Sequence, residues 1–274
     1  MPEVELERAA GLAYREAVPE GGSERPPARC VHGFPESSYM WRNLLPALAD
    51  AGFRALAPDL AGYGDSPPDR PATWERHIEL LDGFCDELDL GPVALVVHDW
   101  GGLIGLRWAC DSPGAAAAIV ASDTGLFPEG RWHGFAKAMR TEGKGEELMQ
   151  QMNREGFAAM MRSLSDGFSD AAIEEYWKAF ETDDGRMGIL EMYRSGDFEK
   201  LEPYRGKLAE LGVPFLALWG ENDTFAPVAG GHRFVKEIPG ARIAVVEGAR
   251  HFVFADDPAR CATEIVRYLD SALK

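Results

Sequence analysis

The sequence predicts an α/β protein: a mostly parallel, doubly wound sheet with a helical cap inserted into it. Three observations predict this. Short aliphatic runs alternate with longer amphipathic stretches, the alternation stops after AAAAIVASD, and it resumes at VPFLALWG. Strands that alternate with helical stretches argue for βαβ units, whose successive strands lie parallel.

Taken in order, ARCVHG reads as a strand before a helix over residues 41–50, and FRALAPD as a strand before a helix over residues 74–88. PVALVVH is a third strand, followed by a helix over residues 103–110. From residue 127 to 206 the chain is rich in Met, Phe, Glu and Arg, carries Gly breaks and has no strand signal. That block is the expected cap, and residues 1–126 and 207–274 are the expected core. VPFLALWG and ARIAVVEG then supply two more strands. Residues 258–273 read as a closing helix with Ile265, Val266 and Leu269 on one face. ERPPAR and PPDRPATW read as surface turns rather than linkers.

Composition narrows the function classes. The 274 residues, 46% of them hydrophobic, are enough for one large core. Against 28 basic side chains stand 45 acidic ones, a net charge of −17 that repels nucleic acid and anionic membrane surfaces. MPEVELERAAG carries acids where a secretory signal needs a basic start, and no apolar run reaches spanning length, so a cytoplasmic protein is expected. Cys30, Cys85, Cys110 and Cys261 are scattered without C-x-x-C or a His–Cys cluster, which predicts neither a metal site nor a disulfide framework. Neither G-x-G-x-x-G nor G-K-[ST] is present, so no nucleotide cofactor is expected.

In an open parallel sheet, ligands bind beyond the carboxyl ends of the strands. The residues there are VHGFPE, HDWGG, Asp123, ENDTFAP and RHF. HDWGG follows an apolar run and leads into a helix, where many hydrolases present a serine in G-x-S-x-G. Here the residue is Asp99. An aspartate after a strand is often only a helix cap, and a histidine in a turn is often only a surface group. A cap does not require Trp-Gly-Gly behind it, nor these neighbours at the other strand ends.

HGFPESSYMWRN, PDLAGYGDS, VVHDWGG, WGENDTFAP and RHFVFADDP together resemble the α/β-hydrolase superfamily over nearly the whole chain. More narrowly they resemble its aspartate-nucleophile branch, which holds epoxide hydrolases, haloalkane dehalogenases and fluoroacetate dehalogenases. The resemblance implies Asp99 as nucleophile, His251 as base and Asp223 as the acid behind it. Asp123 is the alternative acid, since some branch members place theirs after the preceding strand. It also implies an oxyanion hole from the backbone N–H groups of Phe34 and Trp100, and structural roles for His32 and His98. A carboxylate is ionised at neutral pH and displaces a leaving group at sp³ carbon without a base, giving an alkyl–enzyme ester. His251 would then activate the water that hydrolyses the ester.

The leaving group depends on the cap. Epoxide hydrolases of this branch present cap tyrosines to the ring oxygen, and ILEMYRSGDF resembles the segment that carries one, which selects Tyr193. His133, in RWHGF, stands near the place of the other. Halide release uses the indole N–H of the tryptophan after the nucleophile, here Trp100, with an asparagine or a second tryptophan. Phe34 replaces that asparagine, and Trp132 would serve only with its indole turned inward. Fluoroacetate dehalogenases carry arginines after the nucleophile where this chain has Trp100 and Leu103, so a neutral, mostly apolar substrate is expected. The first expectation is therefore epoxide hydrolysis with a His133/Tyr193 donor pair, and the alternative is haloalkane dehalogenation. A third reading is a non-catalytic ligand-binding homologue, against which the intact acids and histidine argue. The expected partners are a small neutral organic substrate and water, in a monomer or homodimer.

Overall fold

The computed structural model describes residues 3–274; residues 1 and 2, which the expected core range includes, lie outside the described residues. Eight strands form one sheet: β1 (Glu5–Ala9), β2 (Leu12–Ala17), β3 (Ala28–Val31), β4 (Ala55–Pro58), β5 (Val93–His98), β6 (Ala116–Ser122), β7 (Phe215–Gly220) and β8 (Arg242–Val246). Their order across the sheet is β1-β2-β4-β3-β5-β6-β7-β8. β1, β2 and β4 pair antiparallel, and every other neighbouring pair is parallel. The α/β fold expected from the alternation is thus the fold observed.

Burial shows how the sheet is wound. Every residue of β3, β5 and β7 is buried, although successive side chains of a strand point to opposite faces. Both faces are therefore covered, the usual condition of parallel sheets, and strands of this kind read as continuous apolar runs. The helices Trp74–Glu87 and Trp100–Asp111 pack on one another, and Leu44–Asp50 packs against Pro258–Ala272. In the last helix Ile265 and Leu269 are fully buried and Val266 is half-buried.

The β1–β2 hairpin was not expected from the sequence. β1 is an edge strand with four of its five residues exposed, so it has no apolar signature to find. Its turn rests on Ala10 and Gly11, both at positive φ.

Between β6 and β7 the described residues form helices and no strand. Asn153, Ser169 and Thr182 each accept a backbone N–H with the side chain and so start the helices Arg154–Leu164, Asp170–Trp177 and Asp183–Arg194. No helix among the described residues is long and apolar enough to cross a membrane. All four cysteines are free and buried.

From β3 the chain continues to β4 on one side and to β5 on the other, so the strand order reverses at β3. Such a reversal opens a crevice beyond the carboxyl ends of the strands. The turn after β3 carries Phe34 and the turn after β5 carries Asp99, one on each side of the crevice.

Candidate active site

Asp99 follows β5 directly and stands at φ 49° and ψ −121°, before the helix Trp100–Asp111. A non-glycine residue at positive φ is costly and persists only where its surroundings hold it. The surroundings here are two close approaches. A Cβ on Gly101 would lie 2.2 Å from the Val31 carbonyl oxygen, and one on Gly33 would lie 2.4 Å from the Asp99 Cβ. Only glycine lets the β3 turn and the new helix close around the aspartate.

The Asp99 carboxylate meets a different partner at each oxygen. Oδ1 accepts the Phe34 backbone N–H at 2.9 Å, and Oδ2 lies 3.4 Å from His251 Nε2. Thr124 Oγ1 donates to the Asp99 carbonyl at 2.6 Å and pins its backbone. Burial would raise the Asp99 carboxyl, but the hydrogen bond and charge of His251, the charge of His98 and the Trp100 N–H hold it below its ordinary value. It is a ready-made carboxylate.

His251 stands between two acids. Its Nδ1 lies 2.8 Å from Asp223 Oδ2, whose other oxygen accepts the N–H groups of Phe225 at 2.7 Å and Ala226 at 3.0 Å. Burial would push the imidazole down, but Asp223 and Asp99 outweigh it and hold His251 well above its ordinary value. Asp223 is held low against its own burial by the same bond.

Asp123 follows β6, has φ 47° and is fully buried. Its carboxyl accepts Ser122 Oγ at 2.6 Å and the Gly220 N–H at 3.0 Å. Burial, reinforced by the nearby Asp223 charge, pushes the Asp123 carboxyl well above its ordinary value, whereas the Asp223 carboxyl is held below its own. Ligand atoms of Asp123, Asp223 and His251 lie within 4.8 Å of one another. They are engaged in the hydrogen bonds just described.

The Trp100 and Tyr193 rings meet edge to face at 5.0 Å, and Tyr193 is packed the same way on Phe34 at 5.4 Å. Burial raises the Tyr193 phenol and the Asp99 charge adds to that, so it remains a neutral donor. His133 caps the helix Gly134–Arg140, with Nδ1 accepting the Ala136 N–H at 3.4 Å. Desolvation lowers its pKa, so the ring is neutral and carries its proton on Nε2. Trp132 stacks on Trp100 at 5.7 Å, but its indole N–H donates to Asp197 Oδ1 at 3.0 Å. It is a wall here, and its N–H is directed away from an incoming leaving group.

His32 and His98 are fully buried hydrogen-bonders. His32 Nε2 accepts the Leu60 N–H at 2.9 Å; His98 Nε2 meets the His251 carbonyl at 2.9 Å and its Nδ1 lies 3.2 Å from Glu36 Oε2. Sequence reasoning missed Glu36 and Phe225. Phe225 packs on His133 at 4.9 Å and on His251 at 5.2 Å. Both lie inside the quoted motifs HGFPE and ENDTFAP, and their position at strand ends was the available signal.

The cavity over Asp99 has two lobes, of about 330 and 240 Å³, and Asp99, His133, Tyr193, Phe225 and His251 line both. A carboxylate fixed at one oxygen, a histidine at the other and neutral N–H and O–H donors opposite can perform a displacement followed by hydrolysis.

Comparisons with known proteins bear on the fold and the family. A family model described as alpha/beta hydrolase fold matches residues 30–258. A haloalkane dehalogenase of Mycobacterium marinum is 32% identical over 92% of this chain and 87% of its own length. One from Psychrobacter cryohalolentis is 30% identical over 91% of this chain and 85% of its own length. Among solved structures, a haloalkane dehalogenase from Bradyrhizobium elkani superposes with a TM-score of 0.82 at 22% identity, over 99% of both chains. An epoxide hydrolase from Vigna radiata does so with a TM-score of 0.79 at 23% identity, over 98% of both. At those identities the superpositions speak for the fold alone. The family model and the curated relatives place this chain in the α/β-hydrolase superfamily, in its aspartate-nucleophile branch.

Proposed function

We propose that this protein hydrolyses carbon–halogen bonds in neutral organic molecules. The carrying observation is the Asp99 carboxylate, bound at Oδ1 by the Phe34 N–H and open at Oδ2 toward His251 and the cavity. The residues between β6 and β7 act as a cap over it. Oδ2 attacks the sp³ carbon and the carbon–halogen bond breaks, the halide leaving with the electron pair. The Trp100 indole N–H and the Tyr193 hydroxyl receive it, and the ester of Asp99 remains. His251 takes a proton from water, and the hydroxide attacks Cγ. The oxyanion forms on Oδ1, where the Phe34 and Trp100 N–H groups hold it. Collapse expels the alcohol with the former Oδ2 and leaves the water oxygen on Asp99. Asp223 orients the imidazole.

The halide reading comes ahead of epoxide opening, the first expectation from the sequence, because the curated relatives named above are haloalkane dehalogenases. Epoxide opening has one specific observation in its favour, the neutral His133 and Tyr193 donors on the shared lining of both lobes. Turnover of 1-bromobutane in ¹⁸O-water tests the mechanism. The label is expected in the Asp99 peptide after one turnover and in the alcohol from the second, and an unlabelled Asp99 would refute the ester. Styrene oxide assayed alongside, with Tyr193→Phe, tests the leaving group. Bromide release with little epoxide turnover is expected; diol formation without bromide release would reverse the assignment.

A further inference from the structure

The two lobes share the reacting group and otherwise have different walls. The larger is walled by Trp100, Leu103, Thr124, Trp132 and Ala229; the smaller is walled by Phe34, Phe135, Met160, Leu164 and Phe252. The Asp99 and His251 side chains belong to both linings. At about 240 Å³ the smaller lobe falls below the ~300–1,000 Å³ common for ligand sites, whereas the larger, about 330 Å³, lies just inside that range, so the smaller lobe is of a size for one arm of a ligand rather than a whole one.

In an in-line displacement the three groups that stay on carbon lie in a plane across the O···C···halogen axis. A terminal carbon has one carbon chain in that plane and fills one lobe. An internal carbon has two, and they leave in different directions. Apart from the five shared residues, the smaller lobe is lined by apolar side chains only, whereas the larger also offers Thr124 and Arg131.

We propose that the substrate is an internal, secondary haloalkane: its reacting carbon sits over Asp99, a hydrocarbon arm fills the smaller lobe, and a second arm, which can carry a polar group, fills the larger. This rests on the displacement reading above, and the test separates the two. Both 4-bromoheptane and 2-bromoheptane are secondary bromides with seven carbons, so intrinsic reactivity is matched and only arm placement differs. The expected kcat/KM ratio is about tenfold or more in favour of 4-bromoheptane, the size of effect that one or two methylenes make in an apolar pocket.

Two variants fill one lobe each without touching the reacting groups, Leu164→Trp in the smaller and Ala229→Trp in the larger. Each should lower kcat/KM for 4-bromoheptane about tenfold more than it lowers kcat/KM for 2-bromopropane, which fills neither lobe. Equal rates on the two bromoheptanes, or lobe-filling variants that spare 4-bromoheptane, would overturn the proposal. A second readout needs no turnover: calorimetric binding of heptan-4-ol against heptan-2-ol. Tighter binding of heptan-4-ol without bromide release upholds the two-armed cavity while the displacement reading fails. Equal binding overturns the two-armed cavity whatever the chemistry.

Discussion

Replacing Asp223 by Asn should divide the reaction in two. The Asp223 side chain is wholly buried, with Oδ1 accepting the Phe225 and Ala226 N–H groups and Oδ2 2.8 Å from His251 Nδ1. An Asn must give its single oxygen to those two buried N–H groups, because leaving them unpaired costs about 1–3 kcal/mol each. Its NH₂ then faces His251 Nδ1, donor toward ring nitrogen. The neutral imidazole is forced into the other tautomer, with its proton on Nε2, where a lone pair is needed to accept one from water. Loss of the correct tautomer in a hydrolase of this kind costs ~10⁴ in rate, or about 5.4 kcal/mol at 1.36 kcal/mol per tenfold. Displacement by Asp99 requires no base and should keep its rate within about tenfold. Rapid-quench measurement should therefore show one equivalent of bromide released in a burst, followed by turnover ~10³–10⁴-fold slower than wild type. Intact mass should show the alkylated protein. Steady-state turnover within tenfold of wild type, or slow turnover with no burst, would falsify the assignment of Asp223 as the acid behind the base.

Asp123→Asn should behave differently. Burial favours the neutral form of Asp123, which Asn matches closely in shape and electron count, and kcat should fall by less than about tenfold. Its folded-state pKa is raised from 3.8, so its contribution to stability is complete below that value and is lost as pH rises toward the raised pKa. Asn removes that loss, and thermal melts across pH 4 to 8 should show the Tm of the variant rising relative to that of wild type as pH rises; a variant that loses ground to wild type as pH rises would refute the raised Asp123 pKa. The pH dependence of the two steps should also separate. Asp99 is held low and His251 must be neutral to serve as base, so below neutral pH the bromide burst should persist while turnover falls. A burst that declines in step with turnover would argue against this. Gly101→Ala would place a methyl 2.2 Å from the Val31 carbonyl oxygen, in backbone that cannot yield as a side chain does. A loss of several kcal/mol is expected in denaturant unfolding, of the order of other overpacking substitutions at ~1–3 kcal/mol or above, and a stable, active variant would refute the close-approach argument.

The sheet was legible because β5, β6 and β7 are buried almost throughout and so appear as apolar runs, and β3 is such a run but for the buried Arg29. β1 was not, since its residues face solvent on an edge. Asp99, Asp223 and His251 were legible as strand-end residues, a position that the alternation of elements fixes without any knowledge of side-chain direction. The donors were harder to read. Whether Trp132 points its N–H inward depends on Asp197, which lies far from it in the chain and takes that N–H for itself. His133 is the reverse case: capping the next helix uses Nδ1 and leaves Nε2 as donor, a local consequence of R-W-H-G that its chemistry alone does not reveal. The two acids near His251 differ in partners rather than in sequence pattern. Asp223 receives two N–H groups and the imidazole and is held low, while Asp123 is fully buried and is held high.

On the mechanism proposed above, the electrostatics also account for how one histidine whose proton is held so firmly in the free protein can still act as a base. In the free enzyme two carboxylates flank His251, at 2.8 Å from Nδ1 and 3.4 Å from Nε2, and together they outweigh the desolvation that would strip its proton. Alkylation converts Asp99 into a neutral ester. The nearer carboxylate, Asp223, remains, but half of the anionic clamp is gone, and desolvation now acts against a weaker opposing field. The imidazole pKa therefore falls at the moment a base is required, and its proton leaves as the counterpart of the departing halide. Hydrolysis of the ester regenerates the Asp99 carboxylate and with it the field that holds the proton taken from water. On the proposed mechanism the nucleophile thus sets the protonation state of its own base.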